Sequence, residues 1–110
     1  MLSGDELDKV REAILMLRAS DPYANLADLY DFMTKDRALQ AFYRDWRDSL
    51  LEAMRRYKVK VRVFVDLACG TGNATVPWTR RRSWTVIGVD RSAAMLRQAR
   101  KKSKRVLWYR

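Results

Sequence analysis

Hydrophobic positions recur at two different spacings along this chain, and the change of spacing divides it. Up to Tyr57 they recur every three or four residues, the helical period: Leu7, Val10, Ile14 and Leu17; then Tyr23, Leu26, Ala27 and Tyr30; then Leu39, Phe42, Trp46, Leu50, Ala53, Met54 and Tyr57. Each stripe has its own start signal. Ser3 with Glu6 reads as a capping box for a helix over residues 3–19. Asp21-Pro22 reads as the cap and first residue of a short second helix, and Thr34 as the cap of a third of about six turns. From Val61 the pattern changes. Val61–Leu67 is an apolar run rich in β-branched residues, which predicts a strand buried on both faces of a parallel sheet, and Trp84–Val89 repeats it. Ala68-Cys69-Gly70-Thr71-Gly72 breaks the first run. The spacing of Val76, Trp78 and Thr79 then predicts a helix from Asn73, with Pro77 in its first turn. Ser92 caps a helix carrying Ala93, Ala94, Met95 and Leu96, and Val106–Tyr109 is a third strand. The expected organisation is an α/β chain, with a helical cover over 1–58 and a β-α-β-α-β half-sheet over 59–110 that together form one structural domain.

Asp66 and Asp90 fall at the carboxyl ends of the first two strands, where ligands of open parallel sheets sit. The dinucleotide pattern G-x-G-x-x-G needs a third glycine, but Gly70-Thr71-Gly72 is followed by Asn73, Ala74 and Thr75. No Gly-Lys-Ser/Thr follows at phosphate-loop spacing either. What remains is a tight turn flanked by two acids. An acid ending the second strand suits a pair of ribose hydroxyls, which are donors needing an acceptor.

The string Asp66-Leu67-Ala68-Cys69-Gly70-Thr71-Gly72-Asn73, followed by Ile87-Gly88-Val89-Asp90-x-Ser92-x-x-Met95-Leu96, resembles the first two motifs of a class I S-adenosylmethionine-dependent methyltransferase. The resemblance implies a Rossmann-like methyltransferase fold and S-adenosyl-L-methionine as cofactor. It also implies roles. The backbone around Ala68, Gly70 and Gly72 lies against the methionine part, Asp66 holds its amino group, Asp90 takes the ribose hydroxyls, and Met95 packs near the adenine. Tyr23–Met33 is similar to the N-terminal cover of small-molecule methyltransferases of this class, in which Tyr30 of the Tyr30-Asp31 pair faces the cofactor and Tyr23 lies near it. By the same resemblance the fold is truncated, since the later strands that carry acceptor and catalytic residues would follow Arg110. No catalytic residue is therefore assigned. The strand order would be third, second, first, leaving the 61–67 strand with an open edge that invites self-association.

Composition narrows the rest. The 110 residues hold 48% hydrophobic side chains, enough for one globular core. With no His and a single cysteine, Cys69, a zinc site or a Cys-His nucleophile is excluded, and the lone thiol fits a reducing, cytoplasmic setting. No apolar run approaches the roughly 18 residues of a membrane span, and Met1–Asp8 lacks the basic start of a signal peptide. The net charge is +10 but unevenly placed: residues 1–50 carry 7 basic and 10 acidic side chains, residues 51–110 carry 16 and 3. A basic half interleaved with Trp84, Trp108 and Tyr109 supports a competing reading as a nucleic-acid-binding module, and an inactive regulatory remnant is a third. Against the second, many of these cations sit at helix C-termini, where the helix dipole favours them.

Overall fold

The structure, a computed structural model, describes residues 1–110 apart from the side chains of Ile14, Leu17, Arg18 and Ala19, so half of the first predicted stripe lies outside the described side chains. Four α-helices, α1 (Gly4–Ala19), α2 (Ala27–Met33), α3 (Arg37–Arg56) and α4 (Ala93–Lys102), accompany three strands, β1 (Val63–Leu67), β2 (Thr85–Val89) and β3 (Leu107–Tyr109). The sheet is parallel throughout in the order β1-β2-β3, with Asp66 beside Gly88 and Gly88 beside Trp108. That is the strand order expected from the sequence. No helix is long and apolar enough to cross a membrane among the described residues.

The caps explain where the helices begin and end. Ser3 and Glu6 close the expected capping box on α1. Asp36, not Thr34, caps α3 by accepting the Ala38 N–H at 2.8 Å. Thr34 instead turns its hydroxyl back onto the carbonyls of Tyr30 and Asp31 at the end of α2, where the Tyr30 carbonyl also accepts the Thr34 N–H. The second helix starts later than expected, at Ala27, because Asp21 accepts the Tyr23 N–H in a turn and residues 22–26 continue as turns. After α3, the Lys58 N–H bonds the Arg55 carbonyl and the Val59 N–H bonds that of Met54, with Lys58 at φ 54°. This is a Schellman stop built on lysine where glycine is usual, so the chain reverses into β1 without a flexible joint.

Between β1 and β2 the expected α-helix from Asn73 is replaced by one short 3-10 helix, Val76–Arg80. Its cap position, Thr75, cannot serve the helix because the hydroxyl donates to Asp66 at 2.7 Å, and Pro77 removes a further N–H. Trp78 from this segment is the centre of the core. It stacks on Phe64 at 4.7 Å and Trp84 at 5.7 Å and takes the edge of Trp46 at 6.2 Å, with Val86, Val106, Leu50 and Leu51 completing the cluster. On the same sheet face Trp108 lies over two glycines: a Cβ on Gly72 or on Gly88 would stand 2.5 Å from its ring. Its indole N–H donates to the Ser103 carbonyl at 3.0 Å, which fixes the ring there.

The expectation that β1 is buried on both faces is not met. Its residues alternate, and Val63, Val65 and Leu67 are 56%, 50% and 73% exposed, as are Leu107 and Tyr109 on the same face of β3 to a similar degree. All packed segments lie on the other face, because successive crossovers of one hand run in one direction across the sheet. On α1 no described side chain is buried, and Leu7, Val10, Leu15 and Met16 face solvent. The radius of gyration is accordingly 18.2 Å, against about 13 Å for a compact chain of this length.

Two outcomes are expected. Gly88→Ala should push Trp108 off the sheet and lower stability by about 1–3 kcal/mol, the usual cost of overpacking, read as a shift in urea midpoint. The bare sheet face and free β1 edge should drive association. Sedimentation velocity at rising micromolar concentration should show mass growing with concentration, and a monomer throughout would count against it.

Candidate functional site

β1 ends in a turn whose backbone sets the site. Ala68, Gly70 and Gly72 have φ of 58°, 56° and 81°, so three of five consecutive residues are left-handed. Glycine takes this region freely, whereas Ala68 sits there at a cost of about 1–2 kcal/mol. Strain of that kind gathers at functional sites when the surroundings hold it in place. Here the surroundings are the end of β2: the Cys69 N–H donates to the Val89 carbonyl at 3.0 Å, and the Gly70 N–H to Asp90 at 2.8 Å. The other Asp90 oxygen accepts the Ser92 N–H at 2.8 Å. Asp90 thus ties the glycine turn to the start of α4.

Beneath the turn is a hollow of about 220 Å³ lined by Tyr30, Tyr43, Asp66, Ala68, Gly70 and Asn73, among others. Of the residues singled out in the sequence, Asp66, Ala68, Gly70 and Tyr30 converge on it. Gly72 is buried under Trp108, and Asp90 braces the turn without lining the hollow. Met95, 3% exposed, packs with Ala27 and Ala94 in a small core against which Tyr30 rests. Tyr23 is 42% exposed and does not line the hollow. Tyr43, on α3, had no distinguishing signal in the sequence.

Asp66 engages one carboxylate oxygen with Thr75, and its second makes no hydrogen bond among the described residues. A carboxylate so placed is an acceptor for an ammonium group. Cys69 beside it is no nucleophile: burial, then the neighbouring Asp90 and Asp66 charges, push its thiol up to about 12. Burial likewise raises the Tyr30 phenol, with Tyr43, Tyr23 and Asp31 adding to it, so the hydroxyl keeps its proton at neutral pH.

The cover is fastened by acids that the sequence did not reveal as site residues. Asp21 accepts the Ser92 hydroxyl at 2.8 Å and the Ala94 N–H at 3.0 Å, at the N-terminus of α4. Asp28 accepts from Gln98 at 2.6 Å. Asp31 reaches furthest, accepting from Thr71 at 2.6 Å and Asn73 at 3.0 Å and pairing with Lys102 at 2.7 Å. Lys102 also donates to the Asn73 side-chain carbonyl at 2.6 Å. The three acids therefore meet α4 in order along its length. The Tyr30-Asp31 pair was visible in the sequence, but only its tyrosine pointed to the site.

Burial alone would push the Asp31 carboxyl up, but Lys102, Thr71 and Asn73 together outweigh it and hold it below the ordinary carboxylate range. The stabilisation this gives is complete above the unfolded value near ~4 and is lost as pH falls through the lower folded value. Asp31→Asn is expected to cost about 1–2 kcal/mol at neutral pH, a charge-assisted hydrogen-bond value reduced because the pair is partly solvated. In thermal melts across pH, the gap between the two proteins should close below about pH 4. A gap independent of pH would assign the effect to shape rather than charge.

A family model described as a methyltransferase domain matches residues 64–108. The matched stretch takes in Asp66, the glycine turn, β2 with Asp90, α4 and most of β3, which is under half of the chain. The match falls on the stretch whose motifs resemble those of a class I S-adenosylmethionine-dependent methyltransferase. No curated protein matches the chain.

Proposed function

We infer that the hollow receives the methionine end of S-adenosyl-L-methionine and that the chain serves methyl transfer to a small-molecule nucleophile. The observation that carries this reading is the convergence of Asp66, the left-handed turn and Tyr30 on one hollow at the carboxyl end of β1, within the stretch matched as a methyltransferase domain. When bound, the cofactor supplies an already activated sulfonium methyl, so the protein has only to position and to exclude water.

The residues suit those tasks. The unengaged oxygen of Asp66 is the acceptor for the ammonium. The turn brings backbone within reach of the ligand at Ala68 and Gly70, where open space stands above Gly70. Each Asp90 oxygen already accepts one N–H and keeps a second lone pair for a ribose hydroxyl. Tyr30 and Tyr43 wall the hollow, and Met95 supports Tyr30 from behind rather than lining it. A cytoplasmic setting belongs to the same reading.

The test is calorimetry with S-adenosylhomocysteine. Asp66→Asn keeps an acceptor for Thr75 but removes the charge, and is expected to weaken binding by about tenfold to a hundredfold, the loss of one charge-assisted hydrogen bond. Unchanged affinity would take Asp66 out of the site.

A further inference from the structure

A second concave surface lies between α3 and the 3-10 helix, and the methyltransferase reading makes no use of it. It is a groove of about 670 Å³ with Arg44 and Arg47 on one wall and Arg80 and Arg81 on the other. An adjoining hollow extends it past Arg37 to Asn73, which also lines the hollow beneath the glycine turn. Helical spacing puts Arg37, Arg44 and Arg47 on one side of α3, and Arg44 and Arg47 are neighbours three apart, a like-charge pairing that weakens a helix on its own.

Five guanidinium groups thus border one cleft, and none is in an ion pair among the described residues, where the two pairs are Arg55 with Glu52 and Lys102 with Asp31. The single acid on the walls, Asp48, is not paired with them. Arg81 lies over the ring of Trp84 at 5.2 Å, which holds its guanidinium in place. Trp78 also lines the groove. The cleft is rich in donors and short of acceptors.

Cations are gathered in a concave place against their mutual repulsion when an anion completes the arrangement. Guanidinium forks match phosphate oxygens two at a time, and a multiply charged phosphate meets several at once. We propose that the groove between α3 and the 3-10 helix is a phosphate-binding site, taking the phosphate groups of either a phosphorylated small molecule or a nucleic-acid strand.

The experiment titrates the full chain with inorganic pyrophosphate, with acetate as control, following tryptophan fluorescence and heat. Saturable pyrophosphate binding is expected, with Arg47→Gln/Arg80→Gln lowering its affinity about tenfold or more. Affinity for S-adenosylhomocysteine should be unchanged and the thermal midpoint should not fall, since the double variant relieves like-charge repulsion, which separates failure of this site from failure of the cofactor reading. A ten-nucleotide oligothymidylate distinguishes the sources. Displacement by pyrophosphate and weakening in the double variant identify phosphodiester as the ligand form, while pyrophosphate binding without oligonucleotide binding identifies a phosphorylated small molecule. No pyrophosphate binding at millimolar concentration, binding no tighter than acetate, or affinity indifferent to the double variant would overturn the proposal.

Discussion

The carboxylate of Asp31 is the point on which the arrangement of cover and sheet depends. It is partly buried between three elements that are far apart in the chain, and it answers donors from two of them: Thr71 and Asn73 on the turn, Lys102 at the end of α4. A carboxylate withdrawn from water is costly unless its lone pairs are met. Meeting them here requires the left-handed turn, the cover helix and the last turn of α4 to be in register together. The position of Tyr30 follows, since it precedes Asp31 on the same short helix and comes to rest on Ala27 and Met95.

This constraint also accounts for part of the charge imbalance. The acidic first half meets the basic second half along α4, at Ser92 and Ala94, at Gln98 and at Lys102. Only the last of these is an ion pair. The others are neutral donors, so the acids of the cover are spent on helix N–H groups, an amide and a hydroxyl, and most of the arginines are left unpaired. The excess of positive charge around α3 and the 3-10 helix is what that leaves.

How far the sequence discloses this depends on the range of the interaction. The strands follow from local periodicity and the capping box on α1 from the Ser3–Glu6 spacing, while the strand order came from the family resemblance alone. The nearness of Asp66, Ala68 and Gly70 followed from the motif string, which fixes where a turn lies relative to a strand end, and that of Tyr30 from the resemblance of residues 23–33 to a cofactor cover. The helix expected from Asn73 shrank to a 3-10 turn because Thr75 was claimed by Asp66, nine residues away. Thr34 yielded the cap of α3 to Asp36 for a similar reason, its hydroxyl being used by α2. Asp21 and Asp31 act over 71 and 40 residues of separation, a distance at which spacing carries no signal. The expected burial of β1 failed on one face because apolar composition records what a strand could cover, not what is there to cover it.

The site itself is made chiefly of backbone, and this explains why its chemistry is quiet. The one thiol is held neutral by burial and two nearby acids, and the tyrosine hydroxyl stays protonated. Of the two carboxylates at the strand ends, Asp90 accepts one N–H on each oxygen and Asp66 engages only one oxygen. What the fold maintains at a cost is shape: a left-handed alanine between two acids, and a tryptophan pressed on two glycines so that turn and strands close up. A ligand that brings its own reactivity needs that kind of host. Rigid backbone and one unengaged carboxylate oxygen can orient such a ligand, which is what the proposed methyl-donor reading asks of them.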